Sequence, residues 1–226
     1  MERHFHEQLT ALKHELMKMC ALAETMIGDA IRVLVERQAA LLPTIYEHEG
    51  QINHMQVEID ETCFTLIALH QPTASDLRFI LGAEKTNTDL ERLADQAVNI
   101  SQRAEHLMTH EALKPFVIIP QMATIARGMV KDSLHAYVDR QPDKAREVIK
   151  RDEQLNALKK KIVAEMAEFM AKDAATVAYA LDIVLVAHNL ERIGDHAKNI
   201  AENAVFVVEG KDIRHGTELR ARPPAP

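Results

Sequence analysis

The sequence predicts an all-α protein made of two tandem copies of a three-helix unit. Glycine supplies 7 of 226 residues, about half of the ~7% that is usual, which argues against a turn-rich β protein. Apolar residues such as Met19, Leu22, Ala23 and Met26 recur three and four positions apart, which is the spacing of one helix face. Two segments of the first half also return in the second half, which indicates an internal duplication.

The first copy contains three predicted helices. The apolar spacing places the first of them at residues 4–38. Pro43 falls near the start of the second, residues 40–70, because proline is tolerated in the first turn of a helix. Pro72 separates the second helix from the third, which is predicted at residues 75–109.

The second copy repeats this arrangement. Its first helix is predicted at residues 117–140, and Pro142 opens the next, residues 142–171. The last helix covers residues 174–209 and stops before Gly210, a residue suited to a helix C-cap. Short connections between such long helices make successive helices antiparallel neighbours in a bundle.

The duplication is visible in two pairs of segments that occur in the same order. Residues 89–102 match residues 189–202 at seven of 14 positions, at an offset of 100. Residues 19–53 match residues 122–156 at nine of 35 positions, at an offset of 103. Two matches at nearly the same spacing are hard to obtain by chance, so the chain is interpreted as two copies of one unit.

The duplication also predicts the domain boundaries. Residues 1–112 form the first three-helix bundle and residues 113–210 the second, with the joint near His110–Pro115. The composition of the tail, residues 211–226, predicts disorder.

Each copy carries an oxygen-rich stripe on its third helix, at positions three and four apart that share one helix face. The stripes consist of Thr88, Glu91, Asp95, Asn99 and Gln102 in the first copy and of His188, Glu191, Asp195, Asn199 and Glu202 in the second. Like charges one turn apart cost roughly 0.2–0.5 kcal/mol, so a positive charge is expected to compensate them. Either a neighbouring arginine, Arg92 or Arg192, or a bound cation can supply that charge.

The ligand types of the two stripes indicate which metals the sites would accept. Carboxylate and amide oxygens suit Mg²⁺, Mn²⁺ or iron and also admit Zn²⁺. The candidate ligands are Glu91, Asp95, Glu191 and Asp195, with Asn99 and Asn199 as further candidates. Asp29 and Asp132, which the duplication also pairs, are candidates from the first helix of each copy.

Several function classes are disfavoured by the sequence. It has no zincin, ferritin-like, P-loop, Rossmann or nucleophile-elbow motif, so no enzyme is predicted. A net charge of -7 repels phosphate backbones, so no nucleic-acid partner is expected. The most apolar window, residues 177–187, is shorter than the ~20 residues of a membrane span, and no transmembrane segment is predicted. Cys20 and Cys63 lie far apart, as is typical of reduced thiols in a cytoplasmic protein.

The repeated motif carries a resemblance to a known family. Residues 190–202, residues 90–100 and the closing segment 207–215 are similar to the PhoU family. This resemblance implies two three-helix bundles related by pseudo-twofold symmetry, which usually assemble as homodimers. It also implies multinuclear iron or zinc sites at the E-x-x-x-D motifs, here Glu91/Asp95 and Glu191/Asp195.

The resemblance further implies a function. PhoU-like proteins restrain phosphate uptake and the phosphate-starvation response by bridging the importer ATPase and a membrane sensor histidine kinase. A cytoplasmic location, peripheral at the inner face of the membrane, is therefore expected. Gln38 and Gln141 stand where the family often has Asp, and Ala94 stands where the second copy has Gly194. If those Asp positions bind metal in the family, the sites in this chain are expected to be weaker or to hold fewer ions.

Two other functions stay open at this stage. The first is a histidine phosphotransfer or dimerisation bundle, because the residues around His188 resemble a phosphoacceptor box. Thr88 stands at the same place in the first copy, which argues against it. The second is a metal-free helical scaffold, in which arginines neutralise the carboxylate stripes.

Overall fold

The computed structural model describes residues 2–109 and 117–214, and the described residues form six α-helices joined by short turns. The helices are α1 (Glu2–Glu36), α2 (Leu42–His70), α3 (Ala74–Met108), α4 (Ile118–Val138), α5 (Pro142–Lys172) and α6 (Val177–Glu209). The all-α prediction is confirmed, with most helix ends within two or three residues of those predicted. Short 3₁₀ turns at Ala39–Leu41 and Ala174–Thr176 precede α2 and α6, where the sequence predicted continuous helix.

The turns after α1 and α4 are built in the same way. Arg37 and Arg140, which the duplication pairs, both adopt a left-handed backbone, with φ of 56° and 55°. For a residue with a side chain this conformation costs about 1–2 kcal/mol. The turns are stabilised by side-chain bonds: Arg37 Nη2 donates to the Met108 carbonyl at 2.7 Å and Arg140 Nη2 to Asp76 Oδ1 at 3.0 Å.

The two copies pack along each other rather than end to end. Within each copy the three helices pack together, and α1 contacts α4 while α3 contacts α6 across the copies. Each of these contacts joins a helix to its equivalent in the other copy, as expected when a pseudo-twofold axis relates the two copies. At one end, the fully buried ring of Tyr137 on α4 stacks on Phe79 of α3 at 5.0 Å, and its hydroxyl donates to the Phe79 carbonyl.

Helix α6 is the most apolar of the long helices. By length and composition alone, Ala174–Glu209 is long and apolar enough to cross a membrane, since an 18-residue window within it has a mean hydropathy of 1.2. In the fold it packs against α3, α4 and α5. It also carries Asp182, which is 5% exposed and contacts His106 Nδ1 at 2.5 Å and Arg103 Nη1 at 3.5 Å. Part of this apolar surface, 44% of the most apolar window, is therefore buried against neighbouring helices.

The last described residues lie against the body of the protein. Ile213 packs on the core, and Arg214 pairs with Asp212. The rest of the tail that was predicted to be disordered, residues 215–226, and the predicted joint at His110–Pro115 lie outside the described residues.

Candidate carboxylate sites on the third and sixth helices

The stripe of the first copy lies on α3 and faces α2 and α6. Arg92 joins its two carboxylates, with Nε 3.5 Å from Glu91 Oε2 and Nη1 3.6 Å from Asp95 Oδ2. Burial and the Asp95 charge raise the pKa of Glu91 above its usual value, against the opposing effect of Arg92. A second acid, Glu49 on α2, lies close enough to raise this pKa further. The first site is therefore a partly buried set of three carboxylates.

The stripe of the second copy lies on α6 and faces α5. Lys159 Nζ lies 2.9 Å from Glu191 Oε1, and His188 Nδ1 lies 3.2 Å from Glu191 Oε2. Burial raises the pKa of Asp195, and the charges of Glu191 and Asp152 raise it further. The second site thus also combines two stripe carboxylates with one acid from the preceding helix.

Asp152 is the most buried carboxylate of these two sites, with 6% of its surface exposed. Its Oδ2 accepts from Lys198 Nζ at 3.1 Å and from Asn156 Nδ2 at 3.3 Å. Its Oδ1 is buried and has no hydrogen-bond partner. A carboxylate oxygen in this state costs free energy unless a donor or a cation reaches it.

Residues of α6 also connect the two sites. His196 Nδ1 lies 2.9 Å from Asp89 Oδ1 on α3, and Asn199 Nδ2 donates to the same oxygen at 3.1 Å. The charge of His196 opposes the rise in the pKa of both Glu91 and Asp195. Asn199 is therefore a link between the copies, and it is exposed like its counterpart Asn99.

A cleft of about 850 Å³ opens beside this link, between α3 and α6. Asp89, Asp195 and Lys198 line its walls, and Ile213 and Arg214 of the terminal segment also border it. Solvent and ions thus have access to the second site from this side.

Other predicted site residues lie elsewhere. Asp29 pairs with Arg32 at 3.2 Å and borders a groove between α1 and α4. Asp132 pairs with Arg151 at 2.6 Å. Both acids therefore form ion pairs with arginines that do not belong to the stripes.

Gln38 and Gln141 follow the left-handed arginines in the turns after α1 and α4. Gln38 accepts from Arg32 at 2.9 Å, and the Gln141 backbone donates to the Ala136 carbonyl at 2.8 Å. Because the turn after α1 meets the C-terminal end of α3, Gln38 lies more than four helical turns from Glu91, about 25 Å at 1.5 Å per residue. Gln38 therefore lies in the turn after α1, away from the stripe of the first copy.

The ligands predicted from the sequence did not include Glu49 and Asp152. They occupy equivalent positions in the two copies, since residue 49 falls on residue 152 at the offset of 103. Each lies on the second helix of its copy and faces the stripe. The duplication could have identified them, because acidic character at this position is shared by the two copies.

The donor set decides which cation these sites could accept. Within residues 2–109 and 117–214, no three His, Cys, Asp or Glu side chains converge closely enough to enclose an ion as they stand. Three nearby carboxylates per copy are nevertheless hard oxygen ligands, and Asp152 Oδ1 has no other partner. Carboxylate oxygens are the ligands that hard cations such as Mg²⁺ and Mn²⁺ prefer.

Fold and sites together define a class of protein: a duplicated three-helix protein with one carboxylate site on the third helix of each copy. The PhoU domain matches residues 16–104 and 119–204, which correspond to the two copies. The chain belongs to the PhoU family.

Known proteins are similar to this chain in sequence and in structure over nearly its whole length. A protein of Pseudomonas putida named as a homologue of the phosphate-specific transport system accessory protein PhoU is 34% identical over 95% of this chain and 84% of its own length. The crystal structure of PhoU from Pseudomonas aeruginosa superposes with a TM-score of 0.88 at 33% identity, covering 92% of this chain and all of that one. A phosphate transport system regulatory protein PhoU from Streptococcus pneumoniae superposes with a TM-score of 0.82 at 27% identity, over 92% of this chain and 98% of its own.

Proposed function

We propose that this chain is an accessory regulator of phosphate-specific transport that restrains phosphate uptake and the phosphate-starvation response. The observation that carries this proposal is the family match in both copies, together with relatives named as accessory proteins of phosphate transport. No catalytic role is proposed. The protein acts by binding partners through its helix surfaces.

Deleting the gene tests the regulatory role. In high phosphate, the deletion strain is expected to express phosphate-starvation genes and to take up phosphate without restraint. Reintroducing the wild-type chain restores repression. Normal repression in the deletion strain would contradict the proposal.

The partners proposed are the ATPase subunit of the phosphate importer and a membrane sensor histidine kinase. The homodimer acts in the cytoplasm and reaches the inner face of the membrane through these partners. Pull-down of each partner by the full-length chain, in high and in low phosphate, tests this bridge. Retention of neither partner in either condition would exclude it.

Metal binding belongs to the same proposal. Glu91 and Asp95 with Glu49, and Glu191 and Asp195 with Asp152, would hold a cation in each copy. A bound cation would neutralise the carboxylate repulsion that, in addition to burial, raises the pKa of Glu91 and Asp195. Iron and zinc are candidates as well as Mg²⁺ and Mn²⁺, since carboxylates bind all four.

Elemental analysis of protein purified without chelator tests metal binding. The wild type is expected to contain metal, and Glu91→Ala is expected to lose part of it together with some thermal stability. If neither variant nor wild type contains metal and stability is unchanged, the metal-free scaffold is the better description. Phosphate labelling of His188 by a phosphorylated donor would instead favour the phosphotransfer bundle.

A further inference from the structure

We propose that the outer side of α2 is a docking surface for a basic amphipathic helix of a partner protein. Its apolar contacts are Tyr46, Val57 and Phe64, which together form the α2 surface. This inference rests on the proposed function, in which the chain acts by binding partners, and it specifies where one partner binds and what chemistry that partner presents.

The α2 surface consists of large apolar side chains that the fold leaves in solvent. Phe64 is 76% exposed, Val57 55% and Tyr46 38%. The three residues are 11 and seven positions apart, which places them on one side of a helix with 3.6 residues per turn. The core side of α2 is a different one, with buried residues such as Ile52 and Ile59. Apolar side chains grouped on an exposed surface, rather than scattered singly, are typical of interaction sites.

The α2 surface borders α3. Asn87 Nδ2 on α3 donates to Asp60 Oδ1 at 2.9 Å and to the Gln56 carbonyl at 2.8 Å. Leu81, an exposed leucine of α3, precedes Asn87 by six residues. Because α3 runs antiparallel to α2, Leu81 lies at the level of Phe64. The exposed apolar area therefore extends from α2 onto α3.

The three-helix fold does not require apolar side chains at the two most exposed positions of the α2 surface. The offset of 103 puts Lys160 where the first copy has Val57, and Ala167 where it has Phe64. The second copy nevertheless packs its three helices as the first copy does. The exposed valine and phenylalanine are therefore specific to the first copy, and packing within a copy does not explain them.

The charge around the α2 surface is negative. Helix α2 has five acidic residues and no lysine or arginine, and the acids are Glu47, Glu49, Glu58, Asp60 and Glu61. Burial and, after it, the charges of Asp60 and Glu84 raise the pKa of the Cys63 thiol. Both carboxylates thus lie close to the residue that precedes Phe64.

The nearby cations of α3 are engaged by other groups. Lys85 Nζ lies 5.9 Å from the centre of the Phe206 ring on α6. Arg92 contacts Glu91 and Asp95 on its own helix. The acids of α2 therefore keep their negative field along the α2 surface.

This combination selects the occupant. An apolar stripe beside acids fits a helix whose own apolar residues are flanked by lysines or arginines. The distance from Tyr46 to Phe64 along α2, about 27 Å at 1.5 Å per residue, accommodates such a helix of about 18 residues. A second copy paired through its own α2 would instead place five acids against five, and anionic lipid headgroups would be repelled.

Two synthetic peptides of about 18 residues, the length of the stripe, test the inference with the full-length chain. One has leucines on one helix face and lysines on the other, and the second has glutamates in place of the lysines. Fluorescence anisotropy of the labelled peptides is expected to show that the wild type binds the lysine peptide at least about tenfold more tightly. Phe64→Ser and Glu61→Lys/Glu84→Lys are each expected to weaken this binding on the order of tenfold.

Matched variants elsewhere on the surface control for non-specific binding. Leu181→Ser removes an exposed leucine of α6, and Glu153→Lys/Glu168→Lys reverses two exposed acids of α5. Both are expected to bind the lysine peptide as the wild type does. Equal affinity for the two peptides, or equal losses in the controls, would overturn the inference.

The mass of Phe64→Ser in solution, measured by light scattering, is expected to equal that of the wild type. A smaller mass would show that a second copy covers the α2 surface, which also overturns the inference.

Pull-down of the importer ATPase subunit and the sensor kinase separates this inference from the proposed function. Phe64→Ser is expected to lose at least one partner that the wild type retains. If Phe64→Ser retains both partners as well as the wild type does, the α2 surface is not their docking site and only this inference fails. Retention of neither partner by the wild type contradicts the proposed partners, whereas the peptide titration still decides the α2 surface.

Discussion

At the scale of single residues, two glycines within helices have opposite surroundings. A Cβ built on Gly82 of α3 would lie 2.9 Å from the Tyr137 hydroxyl and 3.1 Å from both its ring and Val207 Cγ2. A Cβ on Gly50 of α2 would meet nothing within 4 Å. The first glycine therefore allows the two copies to approach, whereas the second only weakens its helix.

We expect Gly82→Ala to destabilise the protein and Gly50→Ala to stabilise it. The first change overpacks a buried contact, at about 1–3 kcal/mol, and outweighs the better helix propensity of Ala. The second gains roughly 0.5–1 kcal/mol from propensity alone. Urea unfolding of the two variants beside the wild type measures both effects. Equal shifts in one direction would show that the contact with Tyr137 is not tight.

The carboxylate of Asp195 is expected to make stability depend on pH. Because burial, Glu191 and Asp152 raise its pKa in the folded state, the folded protein binds more protons than the unfolded chain above the usual Asp pKa of about 3.9. Its contribution therefore falls as pH rises through the window between the usual and the raised pKa.

Replacing this carboxylate by an amide removes that dependence. Asp195→Asn is expected to gain stability over the wild type as pH rises above the usual Asp pKa of about 3.9, by a modest amount because much of the residue's surface is exposed. Urea unfolding at a series of pH values without added metal measures the gap. Glu168→Gln, on the exposed surface of α5, is the charge-matched control. A gap that is constant with pH would contradict the raised pKa.

At the scale of helices, the contact between α3 and α4 depends on one buried aromatic pair. Tyr137 is fully buried, and its hydroxyl bonds to a backbone carbonyl of α3. In a chain with only 9 Phe and Tyr residues, 6 Phe and 3 Tyr, this stacked pair joins the two copies at one end, in addition to the polar contacts between α3 and α6.

Tyr137→Phe is expected to destabilise the protein by about 0.5–1.5 kcal/mol, since it removes the hydroxyl bond but keeps the ring stack. Tyr137→Ala also leaves a cavity and is expected to cost about 3–5 kcal/mol. Chemical unfolding measures both values. A Phe variant as unstable as the Ala variant would assign the contribution to the hydroxyl rather than to packing.

At the scale of the whole molecule, the two copies share their interior. Helices α1 and α4 and helices α3 and α6 pack across the copies, and Asp89, His196 and Asn199 connect the two carboxylate sites.

The shared interior leads us to expect one cooperative unfolding transition for the full-length chain. Independent bundles would instead unfold in two steps, because each would have its own stability. Calorimetry, compared with urea unfolding followed by circular dichroism and by tyrosine fluorescence, tests this. Two separate transitions would favour the division at residue 112 as a boundary between independently stable domains.

Much of this fold could be predicted from the sequence because helices depend on neighbours three and four residues apart. The apolar spacing, the prolines and the duplication at offsets of 100 and 103 were sufficient for six helices in two copies. The same spacing located Glu91/Asp95 and Glu191/Asp195 on one face of each third helix. Helix position and the face that a residue occupies depend on nearby residues, so both could be predicted from a single segment of the sequence.

Only the tertiary structure decided what faces those stripes. The approach of Glu49 to Glu91, of Lys198 to Asp152 and of His196 to Asp89 joins residues of different helices. Such contacts depend on the rotation and depth at which the helices pack, which the periodicity of either helix does not specify. The sequence by itself thus determined where the carboxylates lie along each helix, and helix packing determined which charges compensate them.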